Sequence, residues 1–434
     1  HTARMLLNTG YTVHLLGRNF SMVPDLLADG AIPVQADLRN RDKVMDACAG
    51  MDAVVHAGAM SAPWGKKDDF FSVNVDGTAS VIAGCCHHQV QRLVYISSPS
   101  VTFDGKDAWY QTESSPYPRR FTSIYSLTKK LGEDLICNCK ELPTVILRPK
   151  AIFGPGDQSL LPRLISAAHN KRLIRIGDAN NLVDITYVDN VAHAICLALN
   201  STTAIGKTYT ITNDEHRSLW DIIDTVLTRL ELTPPAITIP FKVAIALATG
   251  MEWRAALTGI EPPLTCYSVK ILTRTQTYDI SAAKQDLNYL PLISVDKGID
   301  ARTFEDRRTP RGRVAAEFRQ PGGRSPDETF SSPTVLPLGR PVMVVVKQRE
   351  PSGRSPRGYL KIMATMNTDE PATLVNTDEE PPSPSVDLLF SPLTTASVAP
   401  DRVSSALSPR PFAPPPISPT RRPRSGPRTR AFRR

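Results

Sequence analysis

The sequence predicts an α/β protein that is built on a doubly wound parallel sheet. Short apolar segments alternate with segments in which apolar residues recur at helical spacing over roughly the first 150 residues. Glycines stand where several of the helical segments end, at Gly10, Gly30 and Gly50. Strands that alternate with helices imply parallel βαβ units, wound right-handed, with helices on both faces of the sheet.

The elements follow one another regularly in this first part of the chain. The chain begins within a helical pattern, because Ala3, Leu6 and Leu7 recur at spacings of three and four. The pattern then predicts strands over residues 12–16, 32–36, 53–56, 92–97 and 144–148. It predicts helices over residues 22–28, 43–49, 73–87 and 123–139. Ligands bind beyond the carboxyl ends of such strands, so the polar segments that follow them are where a site is expected.

The regular alternation loosens after residue 157. Short predicted strands over residues 173–176, 184–188 and 207–212 are mixed with predicted helices over residues 160–170, 190–199, 219–230 and 241–252. We interpret residues 1–157 as the main α/β domain. Residues 158–305 are interpreted as a smaller α/β region that forms the substrate pocket, with some of its strands returning to the main sheet.

Residues 306–434 differ in composition from the rest of the chain and are predicted to form a disordered tail. They hold 22 of the 38 prolines, with 21 basic and 12 acidic residues. A strand over residues 342–346 is the one exception that the pattern allows. The remaining chain has a net charge of −1, which argues against a nucleic-acid-binding body. A solvated tail is the simpler interpretation of its terminal arginines, and binding to anionic lipid or RNA is the alternative.

The cysteines and the apolar segments indicate a cytoplasmic protein. Seven scattered cysteines favour reduced thiols, and no apolar run reaches the roughly 18 residues of a spanning helix. The apolar helix over residues 241–252 fits core packing, and peripheral contact with a membrane or gating of the substrate is the alternative. Cys85, Cys86, His87 and His88 are consecutive on a helix and cannot together close a tetrahedral shell, so no metal site is predicted.

The candidate chemistry lies on one helix and one strand end. Tyr125 and Lys129 are four residues apart, which places them on one face of a helix, one turn apart. A nearby ammonium favours the phenolate and is expected to lower the pKa of Tyr125. Such a pair can move a proton between an alcohol and a ketone. Ser97 and Ser98 end a predicted strand upstream, where a hydroxyl can hold the substrate oxygen.

The segments YISSPSV and YSLTK resemble the Ser–Tyr–Lys constellation of extended short-chain dehydrogenases/reductases. The resemblance covers roughly residues 1–305 and includes the segments NVDGT, LRPKAIFGPGD and DITYVDNVAHA. Within that superfamily the chain is most similar to the 3β-hydroxysteroid dehydrogenase branch, which includes sterol-4α-carboxylate 3-dehydrogenases and 2-alkyl-3-oxoalkanoate reductases. The resemblance implies a Rossmann-like fold and an NAD(P)-dependent oxidoreductase that interconverts a secondary alcohol and a ketone on a hydrophobic substrate. Nucleotide-sugar epimerases and dehydratases share this scaffold and are the alternative.

The resemblance also assigns roles to residues. Tyr125 would be the general acid/base, Lys129 would tune it and bind the nicotinamide ribose, and Ser98 would bind the reacting oxygen, with Ser97 as the competing choice. Arg18 stands where a cation suits a 2′-phosphate, which favours NADP over NAD. The implied cofactor-binding residues are Arg18, Asp37, Leu38, Ala57, Gly58, Ala59, Asn74, Lys129, Pro149 and Ile152.

One departure from the family pattern bears on activity. The family's GxxGxxG turn between its first strand and first helix does not occur, and HTARMLL matches the residues that follow its last glycine. The resemblance therefore implies that the first strand and the phosphate loop are missing, that the sheet lacks a central strand, and that dinucleotide binds poorly or not at all. A catalytically inactive fragment or scaffold is a further alternative. The resemblance also implies that the helix over residues 123–139 could build a homodimer interface.

Overall fold

A parallel sheet flanked by helices forms the body of the protein. The structure, a computed structural model, describes residues 1–62, 64–157, 160–300 and 341–345. The described strands are β1 (Thr12–Gly17), β2 (Ile32–Gln35), β3 (Ala53–His56), β4 (Arg92–Ile96), β5 (Ala108–Gln111), β6 (Thr144–Pro149), β7 (Ile152–Phe153), β8 (Arg175–Ile176), β9 (Leu182–Val183), β10 (Thr186–Tyr187), β11 (Thr208–Ile211), β12 (Arg217–Ser218), β13 (Thr238–Ile239), β14 (Gln276–Tyr278) and β15 (Pro341–Val345).

Helices connect most of these strands. The described α-helices are α1 (Thr2–Asn8), α2 (Pro24–Ala28), α3 (Arg41–Ala47), α4 (Lys67–Phe71), α5 (Gly77–His87), α6 (Ile124–Asn138), α7 (Leu161–His169), α8 (Val188–Asn200), α9 (Leu219–Arg229), α10 (Phe241–Thr258), α11 (Cys266–Thr273), α12 (Ser281–Leu287) and α13 (Val295–Ile299). A π-helical turn, Ser72–Asp76, precedes α5 within the range predicted as one helix. Among the helices of the described ranges, none is both long and apolar enough to cross a bilayer.

The main sheet has seven strands in the order β11-β6-β4-β3-β15-β1-β2, and neighbouring strands run parallel. Helices α1, α8 and α12 pack on one face, where they bury Leu6, Ile195 and Leu287 against the sheet. Helices α3, α5 and α6 cover the other face with Val44, Val81 and Ile136. The predicted doubly wound architecture is therefore confirmed.

The centre of this sheet corrects one expectation. Strand β15 lies between β1 and β3, with Val342 in register with Val13 and with Ala53. Its side chains alternate between the two cores, since Val342 and Val344 enter one cluster, and Met343 and Val345 enter the other. The expectation that the sheet lacks a central strand is wrong, because a run of apolar, mostly β-branched residues suits a strand buried on both faces.

The strand expected over residues 342–346 is thus found at Pro341–Val345, and Val346 lies outside the described residues. The disorder predicted for the rest of residues 306–434 also falls outside the described residues.

Residues after 157 contribute to several sheets. Strand β11 joins the edge of the main sheet beside β6, while β12, β9, β14 and β5 form a separate four-stranded sheet. Two short pairs, β10 with β7 and β13 with β8, complete the described strand pairing. Within the four-stranded sheet, β5 pairs with β14, so that residues 108–111 lie beside residues 276–278. The boundary between residues 157 and 158 stays a prediction.

Candidate active site

Helix α6 carries Tyr125 and Lys129, and its position on the sheet is set by a glycine. The helix begins after Ser123, whose Oγ accepts a hydrogen bond from the Ser126 backbone nitrogen at 3.1 Å. Gly132 faces β4 so closely that a Cβ at this position would lie 2.1 Å from the Tyr95 hydroxyl oxygen. The absence of a side chain at Gly132 therefore lets the helix approach the strand.

Tyr125 and Ser98 meet at the carboxyl end of β4. Ser98 caps the short 3₁₀ turn Pro99–Val101, and its Oγ accepts a hydrogen bond from the Ser100 nitrogen at 3.2 Å. Burial raises the pKa of Tyr125 to about 12, although a hydrogen bond with the Ser98 side chain acts in the opposite direction. Ser97 points elsewhere, and its buried Oγ has no hydrogen-bond partner among the described residues. The structure thus brings Ser98, rather than Ser97, to Tyr125.

Lys129 lies one turn further along α6 and is only 2% exposed. Its Nζ stands 4.0 Å from the centroid of the Tyr95 ring, a cation–π contact. Burial lowers the pKa of Lys129 to about 7, and the nearby Glu133 carboxylate opposes this shift. The expected lowering of the Tyr125 pKa by Lys129 is not found, because desolvation dominates at the phenol and the amine faces Tyr95.

Glu133, a further turn along α6, forms a buried ion pair with Arg148 at the end of β6. The Arg148 Nε and a terminal nitrogen donate to the two carboxylate oxygens at 2.8 and 2.7 Å, and the side chains are 4% and 2% exposed. Tyr117 donates to the same carboxylate at 2.9 Å. No local spacing in the sequence predicts this pair, because Arg148 reaches Glu133 only where β6 lies beside α6.

Asn74, in the π-helical turn, ties the loop after β3 to α6. Its Oδ1 accepts a hydrogen bond from the Met60 nitrogen at 2.7 Å. Its Nδ2 donates to the Met60 carbonyl and to the Thr128 hydroxyl, both at 3.0 Å. Thr128 adjoins Lys129, so Asn74 fixes the loop backbone relative to α6. π-Helical turns are frequent at functional sites.

The predicted adenine end lies after β1 and β2. Asp37 accepts two hydrogen bonds from the Arg39 guanidinium, at 3.1 and 2.9 Å, and a nitrogen of Arg18 lies 3.6 Å from the same carboxylate. Burial would raise the pKa of Asp37, but the hydrogen bonds and charges of these arginines lower it. The Leu38 side chain is buried in the core beneath Gly77, so a nucleotide contact there must come from its backbone.

The other predicted cofactor-binding residues surround the same edge of the sheet. Ala57, Gly58 and Ala59 directly follow β3; Ala57 is half-buried, and Gly58 and Ala59 are buried. Pro149 ends β6, which pairs with β4 so that Leu147 is in register with Ile96. Ile152 begins the next strand, β7, and is 39% exposed. These residues therefore lie at or just beyond the ends of parallel strands, where the sequence predicted the cofactor, while the residues that follow β15 lie outside the described residues.

A polar cluster from the later part of the chain borders this site. Burial raises the pKa of Tyr267 in α11, and the nearby Tyr125 adds to that effect. The Lys150 Nζ donates to the Gln276 side-chain oxygen at 2.7 Å, and burial lowers the pKa of Lys150 to about 8. No local pattern could have pointed to Tyr267, because folding alone brings α11 to α6.

Comparison with known proteins agrees with this geometry. The 3-beta hydroxysteroid dehydrogenase/isomerase family matches residues 21–242. A 2-alkyl-3-oxoalkanoate reductase of Stenotrophomonas maltophilia is 36% identical over 310 residues, which are 68% of this chain and 92% of that protein. A decarboxylating sterol-4-alpha-carboxylate 3-dehydrogenase of Mus musculus is 32% identical, with 69% of this chain and 85% of that protein covered.

Among solved structures, UDP-glucuronic acid 4-epimerase from Bacillus cereus in complex with NAD is 22% identical, with a TM-score of 0.56 over 69% of this chain and 92% of that one. This likeness confirms the Rossmann-like fold. The family match covers Ser98, Tyr125 and Lys129, and the relatives align over most of their length. The chain belongs to the 3-beta hydroxysteroid dehydrogenase/isomerase family.

Proposed function

We propose that this chain is an NAD(P)-dependent oxidoreductase that interconverts a secondary alcohol and a ketone on a hydrophobic substrate. The observation that carries the proposal is the placement of the Ser98 side chain beside the Tyr125 phenol at the end of β4, with Lys129 one helical turn away. The substrates in the names of the two relatives share a structural feature, which is an oxygen substituent on the carbon β to a carboxylate. A β-hydroxy or β-keto acid with a large apolar portion is therefore the substrate class that we favour.

Each residue of the site has one task in this proposal. Ser98 donates a hydrogen bond that orients the substrate oxygen, and the Tyr125 hydroxyl gives a proton to that oxygen or takes it back. Lys129, buried beside them, would bind the ribose hydroxyls of the nicotinamide nucleotide. The bound dinucleotide supplies or accepts the hydride. Burial of Tyr125 keeps its phenol protonated at neutral pH, which suits the reductive direction.

Substitution of Tyr125 tests this assignment. Tyr125→Phe is expected to lower the reduction rate of a 3-oxo acid about 10²–10⁴-fold, because it removes the proton donor. Tyr11→Phe is the control, since Tyr11 is a tyrosine away from the site whose hydroxyl donates a hydrogen bond to Asn200 at 3.0 Å. Full activity of Tyr125→Phe would refute the mechanism.

The same assays separate the alternative functions. Turnover of UDP-sugars only would favour an epimerase, and no turnover by the parent chain would favour an inactive scaffold.

The cofactor is proposed to be NADP rather than NAD. Two guanidinium groups, of Arg18 and Arg39, surround the single Asp37 carboxylate, which leaves an excess positive charge for a 2′-phosphate. NADPH is therefore expected to quench tryptophan fluorescence at lower concentration than NADH. Arg18→Gln should abolish that difference, and an unchanged ratio of the two Kd values would contradict the assignment.

We infer in addition that α10 contacts an anionic lipid surface. The burial pattern of this helix is the reverse of the usual one, because large apolar residues are exposed and small ones are buried. Trp253 and Leu257 are 75% and 85% exposed. The buried residues are Ala244, Ala248 and Ala255. Its exposed charged residues are the cations Lys242 and Arg254. Its one acidic residue, Glu252, is turned inward, where it accepts a hydrogen bond from the Cys266 nitrogen at 2.7 Å. Such a face suits the lipid interface from which an apolar substrate would be taken.

Vesicle binding tests this surface. Trp253→Glu together with Leu257→Glu should weaken binding to phosphatidylcholine vesicles that contain phosphatidylserine by about tenfold or more. Leu290→Glu, at a leucine that is 64% exposed elsewhere, should leave binding unchanged. Equal binding by all three proteins, or the absence of binding by the parent chain, would refute the lipid contact.

A further inference from the structure

Two pairs of thiols involve helix α5, one pair in the core and the other near the surface. Cys85 is buried and its thiol meets that of Cys48, which comes from the end of α3. Cys86, the next residue, turns outward, and its Sγ lies 3.4 Å from the Sγ of Cys139. Cys139 caps the carboxyl end of α6, the helix that carries Tyr125 and Lys129. Consecutive helical positions therefore place one thiol in the core and the other against a neighbouring helix.

We infer that Cys86 and Cys139 are a site of disulfide formation, which links the end of α5 to the end of α6. The two sulfur atoms are already in contact, and a disulfide bond of about 2.05 Å requires them to approach by only about 1.4 Å. Cys86 is exposed and Cys139 is half-buried, so an oxidant dissolved in water can reach the pair. Among the described cysteines, the Cys48–Cys85 pair is also close but is wholly buried.

A disulfide of the glutathione class is a sufficient oxidant for this step. The thiolate of one cysteine attacks oxidised glutathione, so that a protein–glutathione disulfide forms and one glutathione thiolate leaves. The second cysteine, after it loses its proton, attacks the protein sulfur and displaces the second glutathione. The two protein thiols lose two electrons and two protons, which the two glutathione molecules carry away. Burial, the Cys139 thiol and Glu141 raise the pKa of Cys86 to about 11, so mildly alkaline solution favours the reaction.

Cys137 provides a control within the same helix. It is exposed but lies two residues from Cys139, so it points away from α5. Cross-linking that depended only on exposure would involve Cys137 as readily as Cys86. Cross-linking that depends on the observed contact will involve Cys86 and Cys139 alone. The expected bond closes a loop between residues that are 53 positions apart, which restricts the unfolded chain.

To test this inference, the full chain is treated with oxidised glutathione at about pH 8.5 and the remaining thiols are then alkylated. Peptides are mapped without reduction, so that any disulfide-linked pair is retained. We expect a peptide joined through Cys86 and Cys139, and a Tm about 5 °C higher after oxidation. Cys86→Ser and Cys139→Ser should each abolish both effects, while Cys137→Ser should abolish neither. Full alkylation of both thiols after treatment, pairing through Cys137, or cross-linking only between two chains would overturn the inference.

Discussion

At the scale of single residues, burial shifts Tyr125 and Lys129, the two side chains proposed to act in catalysis, toward their uncharged forms. It raises the pKa of Tyr125 to about 12 and lowers that of Lys129 to about 7. Both shifts have the same physical cause, the loss of water around a group that would otherwise be charged. Desolvation therefore opposes charge on both groups before a ligand binds.

The Lys129 shift predicts a pH dependence of stability. Its pKa in the folded chain is below that of an unfolded lysine, so the unfolded chain binds more protons between about pH 7 and 10.5. The free energy of unfolding should therefore rise as the pH increases from 7 to 9. Lys129→Met should make that rise smaller in urea titrations, and the Lys150 shift, to about 8, should leave part of it in place. An equal slope in the variant would contradict the shift.

The ion pair of Glu133 and Arg148 predicts a large cost for losing one charge. Glu133→Gln should lower the free energy of unfolding by about 3–5 kcal/mol, because it leaves the Arg148 guanidinium buried without its counter-ion. Asp134→Asn is the matched control on the same helix. Asp134 pairs with Lys130 at the surface, so its loss should cost no more than about 1 kcal/mol. Equal costs in denaturant titrations would show that burial of the pair has no energetic consequence.

Local features of the sequence predict the positions of the residues at this scale. The spacing of four predicted that Tyr125 and Lys129 share a helix face, and the strand end predicted where Ser98 lies. It could not determine which way each side chain points within a turn. The Lys129 amine therefore faces Tyr95 rather than acting on Tyr125, and Arg148 meets Glu133 only because β6 and α6 are adjacent in the fold.

At the scale of elements, the closeness of α6 to β4 depends on Gly132. Gly132→Ala should destabilise the protein by about 1–3 kcal/mol, because its methyl group would overlap the Tyr95 hydroxyl. Gly250→Ala in α10 is the matched control, since a methyl group there meets no atom within 4 Å and should stabilise the helix by about 0.5–1 kcal/mol. Adding Tyr95→Phe to Gly132→Ala should recover part of the loss in thermal denaturation.

Most element types follow from periodicity, and the exceptions have identifiable causes. The range predicted as one helix over residues 73–87 divides into a π-helical turn and α5. Asn74 bonds to the Met60 backbone and to Thr128 within that turn, which accounts for the local departure from α-helical geometry. A hydrophobic pattern does not report such long-range hydrogen bonds, so no sequence signal separates the two segments.

At the scale of the whole molecule, β15 decides whether the sheet is continuous. Val342 is completely buried between β1 and β3. Val342→Asp should therefore lower the free energy of unfolding by more than about 3 kcal/mol, because the charge has no partner in the core. Val243→Asp, at a valine that is 46% exposed, should have a much smaller effect. Equal urea midpoints for the two variants would mean that β15 does not occupy the sheet.

The sequence pattern identifies β15 as a strand but does not reveal its partners. Apolar β-branched residues indicate extended structure. The pairing of residues 12–16 with residues 341–345, however, depends on the gap between β1 and β3, which exists only once the sheet has assembled. The resemblance to the family placed the missing strand before α1, so the central position was expected to be empty. A segment from far along the chain fills this position, and no local pattern in the sequence predicts that.

The distant origin of β15 has a consequence for biosynthesis. A ribosome adds about 5–20 residues per second, so β1 and β3 wait roughly 15–60 s before the strand between them has been translated. During that interval two unpaired hydrogen-bonding edges flank an apolar cleft, which is the kind of surface that chaperones bind. We therefore expect the nascent chain to be most prone to aggregation before translation has passed Val345.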